Sequence, residues 1–158
     1  MTNVHTSIPS DLEAWIALAR EVEPLFGPMA GDASFRAALK QAIQDEHAFC
    51  LRQEPDAPHK PLAGGIVISP DTNEIAWLAV SAASRGKGIG TALLGEALAH
   101  LTPQEAIVVQ TFDGSVPEGQ AARSLYARFG FVDLKHGGDN PAGLPTVIME
   151  RPATGNSA

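Results

Sequence analysis

A junction between an apolar run and a helical pattern constrains this chain most. Residues 77–101 read WLAVSAASRGKGIGTALLGEALAHL. The first part is typical of a buried strand, and from Gly88 onward the apolar residues recur at helical spacing. Between the two lies RGKGIG, which combines three glycines with two cations. The sequence therefore predicts a strand-to-helix turn whose backbone is accessible to a ligand.

The chemistry of this junction indicates an anion as the ligand. The first turn of a helix leaves backbone N–H groups unsatisfied at the positive end of the helix dipole. Glycines place no side chain between the backbone and a ligand. Arg85 and Lys87 add positive charge, and the Thr91 hydroxyl adds a donor. A phosphate or diphosphate group is the predicted guest, and a merely flexible connection is the alternative.

Two common phosphate motifs do not fit the junction. A P-loop requires Ser or Thr directly after its Gly-Lys pair, and here Lys87 is followed by Gly88. The dinucleotide fingerprint requires a third glycine at the position that Thr91 occupies. If the junction binds a phosphate group, it does so through a motif other than these two.

Periodicity and turn residues predict the remaining elements. No strand is expected before the first helix, because residues 3–8 are a poor strand candidate. Residues 135–145, rich in Gly and Pro, are predicted to form a long loop, and residues 54–61 a turn. Helices are predicted at 11–26, 32–45, 88–101 and 120–129, and strands at 48–53, 62–69, 74–80, 106–112, 131–134 and 146–150. This order predicts an α/β (α+β) domain with one mixed sheet covered by helices.

Length and charge limit the class of protein. The 158 residues suffice for one domain, expected to span 1–158 with loose ends at about 1–7 and 152–158. The 18 acids outnumber the 11 Lys and Arg residues, which argues against nucleic acid or an anionic membrane as partner. The single cysteine, Cys50, excludes a disulfide framework within the chain and favours the cytoplasm. The spacing of His, Cys and acids predicts no metal site.

Two motifs in the right order carry a family resemblance. The first is Arg85-x-x-Gly88-x-Gly90, which follows a strand and opens a helix. The second is AARSLYARFGF, in which Tyr126 lies four residues before Gly130. Together they resemble the GNAT superfamily of acetyl-CoA-dependent N-acetyltransferases over residues 11–151. The resemblance implies a GNAT-like fold whose mixed sheet splays open between the 74–80 and 106–112 strands.

The resemblance also implies a place for acetyl-CoA, with no metal. Its pantetheine arm would pair with the backbone of one strand, and its diphosphate would lie on the amides of the junction. The implied strand residues are Leu78, Ala79 and Val80, and the implied junction residues are Arg85, Gly86, Lys87, Gly88, Ile89, Gly90 and Thr91.

Two catalytic residues follow from the same resemblance. Tyr126 matches a family tyrosine that protonates the leaving thiolate, and Glu74 matches a base that some members place at the strand start. Asp113 and Glu118 are competing bases.

One position departs from the family pattern. Gly119 stands where many members have an asparagine that holds the cofactor. Gln120 or the Ser115 hydroxyl are the predicted substitutes for that contact, and absence of the contact is the alternative.

The resemblance implies an N-acetyltransferase that moves an acetyl group from acetyl-CoA to a primary amine, expected to be a small molecule, by direct attack. Residues 11–45 and 136–145 are predicted to line the approach of the acceptor. Because members are often dimers, a homodimer is a further expected partner. A non-catalytic acyl-CoA-binding module and a nucleotide-binding protein that uses the same loop are the alternative functions.

Overall fold

A computed structural model describes residues 4–53 and 61–154 of the chain. Within this part, seven strands form one sheet in the order β1-β2-β3-β4-β5-β7-β6. The β4–β5 pair is parallel and the other neighbours are antiparallel. The elements are β1 His5–Thr6, α1 Leu12–Phe26, α2 Ala33–Gln44, β2 Ala48–Arg52, β3 Leu62–Ser69, β4 Glu74–Val80, α3 Ile89–Ala99, β5 Ile107–Phe112, α4 Gln120–Arg128, β6 Val132–Asp139 and β7 Pro145–Arg151.

Helices cover the sheet on both faces. Helices α1 and α2 bury one apolar cluster against β2, β3 and β4, and α3 and α4 bury a second cluster on the opposite face. The predicted fold class, a mixed sheet flanked by helices, is confirmed. None of the described helices is both long and apolar enough to cross a bilayer.

Helix α1 is held on the sheet by its buried side chains. The Trp15 indole is fully buried and donates to Ser7 Oγ over 2.9 Å. A side chain at Gly65 of β3 would overlap this indole, so the glycine permits the close approach. The Asp11 carboxylate, just before the helix, pairs with the guanidinium of Arg52 at 2.8 Å and accepts the Ile8 N–H. These contacts fix where α1 runs relative to β4.

Strands β4 and β5 separate soon after they begin. Their register contains only two pairs, Glu74 with Val108 and Ile75 with Val109. The closed end is held by Asn73, whose side chain donates to Thr102 O at 2.9 Å and to Ala106 O at 3.0 Å. The splay expected between these two strands is therefore present, and it begins beyond Ile75.

Two predictions about the chain segments need correction. A strand does precede the helices, because β1 pairs with β2, so this part of the expected loose end is ordered. The long loop at residues 135–145 is mostly strand, and only residues 140–144 connect β6 to β7. Glycine-rich sequence has low strand propensity, but pairing with β7 through two register shifts overrides that preference. The predicted turn at 54–61 lies almost wholly outside the described residues.

Candidate functional site

Two adjoining cavities open where β4 and β5 separate. The first, the strand-gap cavity, has a volume of about 330 Å³ and lies between the diverging strands. The second, the junction cavity, has a volume of about 310 Å³ and lies against the start of α3. Phe26, Leu78, Phe112 and Ala122 line both, so the two cavities meet at these residues. A ligand seated in one can present a group to the other.

The predicted cofactor residues gather in the junction cavity. Nine of the ten line it, and Lys87 is the exception among them. Gly88 is the N-cap of α3, so the free N–H groups of the first helical turn belong to this junction. An anion in the cavity would meet backbone donors and the positive end of the helix dipole.

The three junction glycines serve two different purposes. Gly86 and Gly88 have φ angles of 78° and 76°, which residues with a side chain rarely adopt. A Cβ at either position would meet open space. They therefore give the turn its shape and leave room for a ligand. Gly90 is different, because a Cβ there would lie 3.0 Å from Leu125 Cδ2. This glycine allows α3 to pack closely against α4.

An acid that the sequence analysis did not single out braces the junction. Glu21 of α1 accepts hydrogen bonds from Ser81 Oγ at 3.0 Å and from the Ala82 N–H at 2.8 Å. These two residues begin the segment that leads from β4 to α3. Glu21 therefore joins α1 to the start of the junction. Because the two partners are about 60 residues apart, no local sequence pattern predicts this contact.

Beyond Ile75, one edge of β4 carries backbone groups that none of the described strands pairs. Strand β3 pairs with the other edge of β4 as far as Val80, and β5 has already diverged. Buried backbone N–H and C=O groups need partners. The open edge therefore offers a ligand an extended row of donors and acceptors, continuous with the α3 terminus.

Tyr126, the predicted general acid, lines the strand-gap cavity. It is 3% exposed, and its ring packs edge to face on Phe131 at 5.5 Å. Burial raises the pKa of the Tyr126 phenol above its ordinary value. The hydroxyl is therefore protonated at neutral pH and can donate a proton.

The comparison of the sequence with known protein families decides what this arrangement represents. Residues 14–131 match the Acetyltransferase (GNAT) family. The chain belongs to the GNAT acetyltransferase family. The resemblance drawn from the two sequence motifs is thereby confirmed, and the family implies acyltransferase activity. A search of curated protein sequences found no significant match.

Solved GNAT structures share the fold at low sequence identity. A GNAT acetyltransferase from Bacillus cereus is 19% identical, with a TM-score of 0.71, covering 96% of this chain and 97% of that one. A ribosomal-protein-alanine N-acetyltransferase from Brucella melitensis is 18% identical, with a TM-score of 0.72 and coverage of 95% and 99%. A PaiA N-acetyltransferase from Thermoplasma acidophilum, solved with coenzyme A, is 18% identical, with a TM-score of 0.67 and coverage of 96% and 99%.

The structure of this GNAT protein does not bring Glu74 into either cavity. Glu74 stands at the closed end of the β4–β5 pair, and its carboxylate accepts the Thr72 hydroxyl at 2.6 Å. Of the two competing bases, Glu118 lines the junction cavity and Asp113 lines neither. Two hydrogen bonds from Ser115 lower the pKa of Asp113. The hydroxyl has the larger effect and the backbone N–H the smaller.

Gly119, where the GNAT pattern often has asparagine, has a packing cause here. A Cβ at this position would overlap the Phe112 side chain. The predicted substitutes are engaged elsewhere, since the Gln120 side chain donates to Gly114 O at 2.8 Å and the Ser115 hydroxyl hydrogen-bonds to Asp113. Neither lines a cavity. Phe112 therefore occupies this part of the site in place of a polar side chain.

The two stretches predicted to line the acceptor approach meet over the strand-gap cavity. Phe26 at the end of α1 and Asp139, Asn140 and Pro141 at the β6–β7 hairpin all line it. Asn140 Nδ2 donates to Leu25 O at 2.8 Å, which joins the hairpin to α1. This end of the cavity, where the acceptor is predicted to approach, is therefore walled by two elements far apart in sequence.

Proposed function

We propose that this GNAT protein is an N-acetyltransferase that moves an acetyl group from acetyl-CoA to the primary amine of a small molecule. One observation carries the proposal: among the described strands none pairs one edge of β4 beyond Ile75, and residues 81–88 lead from this strand to a glycine-rich helix N-terminus. This arrangement suits a ligand that has an extended amide-containing arm and a diphosphate at its far end. Acetyl-CoA has both.

The residues of the junction suit each part of acetyl-CoA. The diphosphate would lie on the amides of Arg85 to Thr91, with the Arg85 guanidinium adding charge. The pantetheine arm would run along the backbone of Leu78, Ala79 and Val80. The thioester would then lie where the two cavities meet, on the same side as Tyr126. The coenzyme A in the Thermoplasma protein belongs to a protein of the same fold and supports this choice of cosubstrate.

The reaction follows from this placement. The neutral amine attacks the thioester carbonyl carbon, a C–N bond forms and the C–S bond breaks. The Tyr126 phenol gives its proton to the leaving thiolate, and the raised pKa of the phenol keeps it protonated until then. Free N–H groups on the β4 edge stabilise the negative charge on the carbonyl oxygen. Direct transfer requires no acyl-enzyme, which suits the buried position of Cys50.

A direct measurement separates this function from its alternatives. We expect release of free coenzyme A thiol from acetyl-CoA to depend on added amine, with one N-acetylated product formed for each thiol released. Acetyl-CoA binding without thiol release for any amine would instead identify an acyl-CoA-binding module. ATP binding as tight as acetyl-CoA binding would identify a nucleotide-binding protein.

Proton removal from the amine is the second catalytic task. We propose that Glu74 performs it through water, because its carboxylate lies on the strand that lines the cavity but outside the cavity itself. Glu74→Gln is expected to lower kcat/KM by roughly tenfold or more, most strongly at low pH, where the amine is largely protonated. The measurement is the ratio of variant to wild-type kcat/KM from pH 6 to pH 9.

Glu150→Gln is the matched control for this variant. Glu74 and Glu150 both stand opposite Val108, one on each side of β5, so their side chains share a face of the sheet. The control is expected to leave the pH profile unchanged. A ratio for Glu74→Gln that is the same at every pH would assign the proton transfer to another group. Asp139, whose carboxylate lines the strand-gap cavity, would then be the next candidate.

A further inference from the structure

The acceptor end of the strand-gap cavity is formed by aromatic rings. Phe26, Trp77 and Phe112, called here the aromatic wall, all line it. The Phe26 ring lies 5.6 Å from that of Phe112 and 5.8 Å from that of Trp77, both edge to face. The three residues come from α1, β4 and β5, so the wall exists only in the folded protein.

A second layer of rings holds the aromatic wall in place. Behind Trp77 lie the rings of Trp15, at 5.6 Å, and Phe35, at 6.4 Å. Trp15 is fully buried and hydrogen-bonded to Ser7. Such packing fixes the rotamers of the wall, because each ring is in contact with another. The acceptor therefore meets a preformed apolar surface and not an adaptable loop.

The charged groups that line the strand-gap cavity are of one sign. Among the described residues that line it, Asp139 is the one with a charged side chain, and it is exposed at the hairpin. Two amide side chains of the lining are already used, since Asn140 donates to Leu25 O, and Gln110 Nε2 donates to Gly137 O and to Thr146 Oγ1. The buried Trp77 Nε1 has no hydrogen-bond partner among the described residues. The described lining thus contains a carboxylate for a cation and no cationic side chain for an anion.

We propose that the acceptor is a primary amine on an apolar body, aromatic or branched aliphatic, with no carboxylate or phosphate beside the amine. This inference rests on the proposed function and names the substrate class of the same site. The arriving ammonium is attracted by Asp139 and by the ring faces, and the apolar body is buried against the aromatic wall. A neighbouring carboxylate would lose its hydration without gaining a cationic partner from the described lining.

Four amines test the proposal through two matched comparisons. Phenethylamine and phenylalanine have the same aromatic body, and phenylalanine adds a carboxylate beside the amine. In the second pair, 3-methylbutylamine has a branched apolar group at the end away from the reacting amine, and putrescine has a second ammonium there. We expect the first member of each pair to have a kcat/KM about tenfold or more above the second, since apolar pockets discriminate by such factors. A tripeptide with an amino-terminal phenylalanine is added as a fifth acceptor.

A variant pair tests the aromatic wall itself. Phe26→Leu keeps an apolar side chain but removes a ring face, and is expected to lower the ratio of kcat/KM for phenethylamine to that for 3-methylbutylamine by about threefold to fivefold. The ratio cancels any effect on acetyl-CoA, whose cavity Phe26 also lines. Phe49→Leu removes a buried ring that packs on His100 and lines neither cavity, and it should leave the ratio unchanged.

Each contrary result has a distinct meaning. Equal kcat/KM within both pairs, a preference for phenylalanine, or a tripeptide better than phenethylamine would overturn this inference while leaving the N-acetyltransferase function intact. A Phe26→Leu ratio equal to that of wild type would overturn the role of the wall. Acetyl-CoA binding without turnover of any of the five acceptors would overturn the proposed function and this inference with it.

Discussion

Gly88→Glu is expected to abolish measurable acetyl-CoA binding and to leave a folded protein. Gly88 is the N-cap of α3 and lines the junction cavity where the diphosphate is proposed to lie. A glutamate there puts a carboxylate beside the diphosphate and competes for the same helix N-terminus. Like charges brought together in a binding site cost several kcal/mol, so the dissociation constant should rise by about 100-fold or more.

The fold should survive this substitution. A Cβ at Gly88 would meet open space, so the variant introduces no clash in the unliganded protein. The φ angle of 76° is unfavourable for a residue with a side chain and costs about 1–2 kcal/mol. That cost is a fraction of the stability of about 5–15 kcal/mol that is common for domains. Calorimetric titration with acetyl-CoA, combined with thermal unfolding, measures both properties.

Gly143→Glu is the matched control. Gly143 has a φ angle of 83°, its Cβ would also meet open space, and it lines neither cavity. It therefore introduces the same charge and a similar backbone strain away from the junction, and acetyl-CoA affinity should remain that of wild type. If the folded Gly88→Glu variant binds acetyl-CoA with the affinity of wild type, the diphosphate does not bind at the junction.

Tyr126→Phe is expected to lower kcat by roughly 10²–10⁴-fold, the range typical for loss of a general acid or base. The ring can keep its packing on Phe131, so only the hydroxyl is removed. Tyr126 lines the strand-gap cavity and not the junction cavity, so acetyl-CoA affinity should change little. The measurement is thiol release at saturating acetyl-CoA and acceptor, with calorimetry for the binding of acetyl-CoA.

The pH profile gives a further test of Tyr126. An unperturbed tyrosine has a pKa of about 10, and burial raises the pKa of this one. The acid form is therefore retained throughout the neutral and mildly alkaline range, and the kcat of wild type should not fall through ionisation of Tyr126 below about pH 10. A Tyr126→Phe enzyme with the kcat of wild type at every pH would leave Tyr126 with a packing role only.

Several predictions from sequence agree with the structure because they depend on neighbours along the chain. The turn at Gly86 and Gly88 requires positive φ angles, and glycine adopts them readily. The start of α3 follows directly from that turn. Helical periodicity and apolar runs bounded by turn residues separate the helices from the strands wherever the elements are long. These local properties were enough to predict the junction, and the family resemblance added the strand residues. Nine of the ten residues named for the cofactor line the junction cavity.

Other features were missed because they depend on pairing between distant strands. Strand β1 has only two residues, too few for a period, and it exists because β2 offers an edge. The second half of β6 is strand because β7 pairs with it, although Gly137 and Gly138 argue for a loop. Propensity is a weak signal where tertiary contacts supply the hydrogen bonds.

What the sequence by itself determined was a strand, a glycine turn and a helix N-terminus that follow one another along the chain, the arrangement proposed to bind an anion. What only the tertiary structure decided was the other end of the strand-gap cavity, where the acceptor is proposed to bind. The contacts between Phe26 and Phe112, and between Asn140 and Leu25, join residues 86 and 115 positions apart. The position of Glu74 outside both cavities depends on where β4 and β5 part. Such contacts are set by how whole elements pack, and a side chain's neighbours along the chain carry no record of them.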